Sequence, residues 1–292
     1  MLNQAVGILF PIFFIAFIGF AIGHWLKPDL RVMNRLNMDI FSPALVFSSL
    51  VAIPLDTSQL PLFSAALVAV LLPGLLMVPI SRLLKLNYRT WAPPNMFRNS
   101  GNLAIPLFTY TFGEVALPAA ILLFVVSTVL HASLGLSILS KGNPFKQLIK
   151  MPVFLASVLA LGLDLNHVQV WKPLLEATSL LGQAAVPIML FSLGAQMCNI
   201  RLSGIKVGLF GTGLSLVTGA VSLLFIWLFI PLPAMQIQMM VLFTMLPPAV
   251  MNYMFAERFN IEPGSVASIV LVSNLLTVVT LPLILLLALQ LG

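Results

Sequence analysis

Charge is scarce in this sequence: only 8% of its residues are Asp, Glu, Lys or Arg, against about 25% in a soluble domain. With 60% of the residues apolar and a mean hydropathy of +1.09, the apolar side chains cannot all hide inside one water-excluded core, so a soluble globule is excluded. The single cysteine, Cys198, excludes an internal disulfide, a cysteine-based zinc cage and an iron–sulfur cluster. There is no His-Glu-x-x-His, no Gly-x-Ser-x-Gly and no pair of aspartates inside an apolar run, so catalysis lacks its nucleophile, its paired carboxylates and its metal. The protein is therefore expected not to be an enzyme, with no cofactor and no metal. The net charge of +6 is scattered between apolar runs instead of gathered into a water-exposed patch, which excludes nucleic acid as a partner.

What the sequence does have is apolar runs of about twenty residues, the length that crosses a bilayer as a helix. Their spacing predicts an all-α polytopic membrane protein with ten spans, over 5–26, 33–53, 60–84, 91–113, 115–139, 148–166, 174–198, 206–230, 235–259 and 264–291. Met1 to Gln4 carries no basic residue, so the first run reads as a membrane helix and not a cleavable signal. Basic residues concentrate in cytoplasmic loops. Lys27, Arg31 and Arg35 follow span 1; Arg82, Lys85 and Arg89 follow span 3; Lys141, Lys146 and Lys150 follow span 5; Arg201 and Lys206 follow span 7; and Arg258 ends span 9. Only Lys172 falls on the opposite face, with Asp56, Glu114, Asp164 and Glu176, so both termini are expected outside. Trp25 and Trp91 at inner ends and Trp171 and Trp227 at outer ends suit headgroup depth.

Two segments recur in order. Pro43-Ala-Leu-Val-Phe47-Ser48 in span 2 matches Pro187-Ile-Met-Leu-Phe191-Ser192 in span 7, and Pro11-Ile-Phe13 in span 1 matches Pro152-Val-Phe154 in span 6. Because five is odd, a second five-span unit enters the membrane from the other side, so residues 1–140 and 141–292 are expected to form inverted repeats. Corresponding spans 4 and 9 are both interrupted. Span 4 carries Arg98-Asn99-Ser100-Gly101-Asn102 before Pro106, and span 9 carries Pro247-Pro248 before Asn252-Tyr253. Proline removes a backbone donor and glycine weakens a helix, so both spans are expected to unwind at mid-membrane, where open backbone must face a cavity. Their second halves then begin close together, and two helix N-termini favour an anion.

Arg98 is the one basic residue inside a span. Two roles are open to it: facing the cavity with an anionic substrate, gated by Asp39, or snorkelling to the inner headgroups. Asp39 is either a proton carrier or the partner of Arg35, one turn earlier. Asn274 in span 10 is expected near the crossing of spans 4 and 9, Gln183 bonds between helices, and His131 packs on an apolar face.

The string Phe97-Arg98-Asn99-Ser100-Gly101-Asn102-Leu-Ala-Ile-Pro106-Leu107, together with the Pro43 segment and Pro247-Pro248, resembles the auxin efflux carrier family. That family includes plant auxin exporters and bacterial permeases for malate or malonate, and belongs with the bile-acid sodium symporter folds. The resemblance spans essentially the whole chain. It implies a scaffold of helices 1, 2, 6 and 7, a transport domain of helices 3–5 and 8–10, and elevator-type alternating access. It makes Asn99, Ser100, Gly101, Asn102, Pro106, Pro247, Pro248, Asn252, Tyr253, Asn274 and Arg98 the substrate-site candidates, with Asp39 in coupling or gating. The implied substrate is a small organic anion, an auxin-like carboxylate or a dicarboxylate, carried across a bacterial inner membrane. Proton, sodium or no coupling stays open, as does a homodimer through the scaffold. The long cytoplasmic loop of many plant carriers is absent, since a short connection joins spans 5 and 6. A sodium-coupled bile-acid-like symporter and a transporter-fold sensor are the alternatives.

Overall fold

The computed structural model describes residues 2–26, 28–51, 57–139, 149–166, 168–198 and 204–291. Lys27, Asp56, Lys141, Lys146 and Arg201 lie outside the described residues, as does most of the connection between spans 5 and 6. Among the described residues the regular structure is helical, and the one departure is an isolated bridge between Arg98 and Pro248. Six helices among the described residues are long and apolar enough to cross a membrane: Ala5–Trp25, Leu60–Leu83, Glu114–Leu139, Lys172–Met197, Ile205–Phe229 and Pro263–Gln290.

The chain opens with α1 (Leu2–Trp25). Next, α2 (Leu30–Leu36) runs through a π turn at Asn37–Phe41 into α3 (Ser42–Val51), and α4 spans Leu60–Leu83. After a short turn, α5 (Tyr88–Met96) stops, and helix resumes as a π turn at Ser100–Ala104 leading into α6 (Ile105–Phe112). Helix α7 (Leu117–Leu130) passes through a third π turn, His131–Gly135, into α8 (Leu136–Leu139). The second half comprises α9 (Pro152–Leu165), α10 (Lys172–Met197), α11 (Ile205–Phe229), α12 (Ala234–Thr244), α13 (Met251–Arg258) and α14 (Pro263–Gln290).

The helices pack in two sets. In one, α1 lies along α10 while α3 is wedged against α9 and α10; in the other, α4 packs on α5, α7 and α11, and α14 on α11, α12 and α13. Small residues set the closeness of α1 and α10. A Cβ on Gly194 would collide with the Ala16 carbonyl, one on Gly19 with the Phe191 carbonyl, and one on Gly23 would sit 3.0 Å from Ala195. Backbone approach of this kind is how membrane helices gain dispersion contact when lipid is as apolar as leucine. The outer face of α1 carries Phe10, Phe14 and Phe17, all at least half exposed, as lipid-facing positions require.

Side chains also gather loops at one end. Asn87 ahead of α5 donates to Glu262 ahead of α14 at 2.9 Å, and Arg89 donates to the Ile138 and Leu139 carbonyls. A cation at those carbonyls completes the C-terminal turn of α8. Two expectations need correction here. Trp91 is buried and packs edge-on against Phe210 at 5.4 Å, because α5 is enclosed by its neighbours; Trp25, Trp171 and Trp227 are exposed at helix ends. Gln183, expected to bond between helices, lies on an exposed face of α10.

Candidate functional site

The interruption after α12 follows from its prolines. Pro247 and Pro248 have no N–H, and each drives the residue before it toward extended backbone, so helix ends at Thr244 and restarts at Met251. After α5 the chain is extended at Phe97, with φ −103° and ψ 94°. The two open segments satisfy one another. The Asn99 amide donates to the Pro247 carbonyl at 2.8 Å and the Ala249 amide to the Phe97 carbonyl at 3.0 Å, one antiparallel rung centred on Arg98 and Pro248. Unpaired backbone at this depth would cost several kcal/mol per group, so the pairing is what allows both helices to stop here.

Side chains close the remaining ends reciprocally. Asn252 of α13 donates from Nδ2 to the Phe97 carbonyl beyond α5 at 2.9 Å and to the Ala249 carbonyl at 2.9 Å. Arg98, from the other interruption, donates from Nη1 to the Leu246 carbonyl beyond α12 at 3.2 Å. Its guanidinium also donates to the Ser215 hydroxyl, to the Ser215 carbonyl at 2.8 Å and to the Thr218 hydroxyl at 3.5 Å, all on α11. Thr218 in turn donates to Asn95 Oδ1 at 3.1 Å. Arg98 is only 2% exposed, which removes snorkelling. Asp39 does not meet it: that carboxylate accepts from Arg35 Nε at 3.3 Å, the helical pair at the exposed rim.

A cavity of about 270 Å³ lies beside the rung. Of the expected residues, Arg98, Asn99, Ser100, Gly101, Asn102 and Asp39 line it. Pro106, Pro247, Pro248, Asn252, Tyr253 and Asn274 stand off its wall, each for its own reason. The three prolines shape backbone: Pro106 is in the first turn of α6, and the pair terminates α12. Asn274 does reach the interruption, but its Nδ2 is taken by the Pro248 carbonyl at 3.1 Å and the Val270 carbonyl at 2.8 Å. Tyr253 turns outward and donates to Glu257 at 2.8 Å.

The far wall lies outside the site residues expected from sequence: Asn34, Asn37, Ser42, Ser192 and Gln196 from α2, the first π turn, the start of α3 and α10, and Ser127, Thr128 and His131 from α7 and the third π turn. Ser192 was flagged by the Pro-x-x-x-Phe-Ser repeat, yet nothing distinguished it from Ser48, which bonds the Leu45 carbonyl within its own helix. His131 does pack as expected, stacked on Phe97 at 4.1 Å and edge-on to Phe255 at 5.0 Å, and it reaches the cavity as well. Several buried polar atoms around the junction and the cavity have no partner among the described residues: Arg98 Nε, Asn99 Nδ2, Ser192 Oγ and Asn274 Oδ1. Clustered orphans of this kind mark a place where a polar ligand completes the hydrogen bonding.

The chemistry available is recognition. The second helical halves begin at Ser100 and Met251, both on the cavity wall with Gly101, Asn102 and Val250. The amides of Ser100, Asn252 and Tyr253 already donate to the Arg98, Ala249 and Val250 carbonyls, which leaves the positive ends of the two helix dipoles at the amides of Gly101 and Met251. Among the described residues the acceptors of Arg98 are all uncharged, so its positive charge adds to that field. A comparison with curated proteins finds no match. The family model described as membrane transport protein, the domain of the auxin efflux carrier family, matches residues 144–285, and that family is one of membrane transporters and not of enzymes.

Proposed function

We propose that this transporter carries small organic anions, and that the junction of the two interrupted helices is its binding site. The observation that carries the reading is the convergence of two helix starts, at Ser100 and Met251, on one cavity beside a buried arginine with neutral partners. Both features favour negative charge, and among the described residues the acceptors of Arg98 are all neutral.

The reading extends to the frame. Helices α5 with α6 and α12 with α13 each form one interrupted crossing, giving ten crossings in two inverted five-helix units, 1–140 and 141–292. Helices α1, α3, α9 and α10 form the scaffold, and the helices around α4, α11 and α14 form the domain that carries the site by an elevator-like movement. Support for this division comes from the two packing sets and from the cavity, which lies between Asn37 and Ser192 of one set and Asn102 of the other. The concentration of basic residues in the loops of one side supports termini outside a bacterial inner membrane. Arg35 and Lys150 then mark the cytoplasmic mouth, so the cavity faces inward.

Purified protein reconstituted in liposomes should show saturable uptake of a labelled mono- or dicarboxylate, and Asn102→Ala should abolish it while the protein remains folded. The same carboxylate should raise the unfolding temperature of the wild type, since a ligand of the folded state stabilises it. Stabilisation by a neutral amphiphile, with none from any carboxylate, would remove the anion reading.

A further inference from the structure

The end of α12 is an oxygen cradle with a cation already in it. Four neutral oxygens converge there: the Leu246 carbonyl beyond the helix, the Ser215 carbonyl, and the hydroxyls of Ser215 and Thr218. Gly219 permits the approach, because a Cβ there would strike the Thr244 carbonyl and lie 3.3 Å from Arg98 Nη2. Neutral carbonyl and hydroxyl oxygens at the negative end of a helix suit a hard monovalent cation. In carriers built on interrupted helices, this is the kind of place where unwound carbonyls and half-helix C-termini bind a coupling ion. Here both Nη atoms of Arg98 occupy the cradle, and the side chain is 2% exposed.

We propose that Arg98 is a tethered substitute for a coupling cation, so that this junction is held in its binding-competent form by a charge that cannot dissociate. The inference rests on the transport reading above and adds its energetics. A dissociable ion must load and unload in each cycle and so lends its gradient to the substrate. A guanidinium fixed to residue 98 stays put, and net movement follows the substrate's own gradient and the membrane potential. The role of Arg98 is then positioning: it holds Leu246 on α11 and leaves the amides near Gly101 and Met251 to the substrate.

The experiment compares sodium, potassium and choline media in two readouts, unfolding temperature of the detergent-purified protein and carboxylate uptake in liposomes. Wild type should unfold at the same temperature and transport at the same rate in all three. Arg98→Ala should lose uptake and unfold at lower temperature, and methylguanidinium or sodium should restore its unfolding temperature along a saturable curve. Asn102→Ala should show no such restoration, which separates filling the cradle from general ionic stabilisation. Should Arg98→Ala fail to fold, Arg98→Lys keeps a tethered cation and should remain indifferent to sodium. Saturable stabilisation or stimulation of the wild type by sodium overturns the proposal, as does a folded Arg98→Ala protein that responds to neither ion. Ion-specific restoration in a protein that moves no carboxylate would instead overturn the transport reading and leave the filled cradle standing.

Discussion

Replacing Asn252 with alanine tests the junction most directly. The substitution deletes two hydrogen bonds, from Nδ2 to the Phe97 carbonyl and to the Ala249 carbonyl, each 2.9 Å long. Neither acceptor is orphaned. Phe97 keeps the Ala249 amide at 3.0 Å, and Ala249 keeps the backbone amide of residue 252 at 3.0 Å. The loss is therefore that of two ordinary bonds, about 0.5–1.5 kcal/mol each, or about 1–3 kcal/mol together. Such a loss is smaller than the roughly 5–15 kcal/mol that holds a typical native state together, so the variant should fold. At about 2–4 °C per kcal/mol in chains of 150–250 residues, the unfolding temperature should fall by several degrees. Carboxylate uptake should fall further than this modest destabilisation accounts for, because the end of α5 and the start of α13 both depend on that amide. Ser222→Ala is the control: its hydroxyl is equally buried but bonds only the Thr218 carbonyl at 2.9 Å, away from the cavity, so uptake should persist. Wild-type uptake in a destabilised Asn252→Ala protein would refute the placement of the site. An unchanged unfolding temperature would refute the claim that Asn252 closes α5.

Gly194→Ala should lower the unfolding temperature by forcing α10 off the Ala16 carbonyl, at about 1–3 kcal/mol, whereas Gly213→Ala, on an exposed face with open space around it, should be neutral or stabilising; equal shifts in a thermal melt would refute the close α1–α10 contact. Asp39→Asn should change stability by less than about 1 kcal/mol and leave uptake near wild type, because the Arg35 pair is solvent-exposed and such pairs contribute little; a complete loss of uptake would return Asp39 to a coupling role. Gly135→Ala would place a methyl 2.8 Å from the His131 ring and 2.9 Å from Phe97, so it should cost about 1–3 kcal/mol and weaken carboxylate-induced stabilisation; a wild-type melt would show that the stack yields freely.

How much of this was legible in the amino-acid order depends on the range of the interaction. The stop after Thr244 is a local matter of two missing N–H groups at Pro247 and Pro248, and it was readable. The long apolar runs between basic clusters were readable too, since length and composition alone decide them. The destination of Arg98 was not, because Ser215 and Thr218 belong to a helix more than a hundred positions away and carry no signature of receiving a guanidinium. The same limit hid the polar wall from Asn34 to Ser42, where a π turn re-aims side chains that a regular helical projection would place elsewhere. Asn252 and Asn274 were singled out as ligands from their polarity; in three dimensions their donors answer to backbone carbonyls, a demand that appears only once two helices have stopped side by side.

Reciprocal closure makes the junction behave as a rivet. The end of α5 is held by a side chain from α13, and the end of α12 by a side chain that follows α5, with a backbone rung between them. Drawing the two segments apart would strip acceptors from both at once. A joint of this construction does not hinge. Under the transport reading proposed above, the cavity then opens and closes by a slide of the whole riveted piece past its neighbours, and the seam for that slip is the polar wall where Asn37 and Ser192 share the cavity with Asn102.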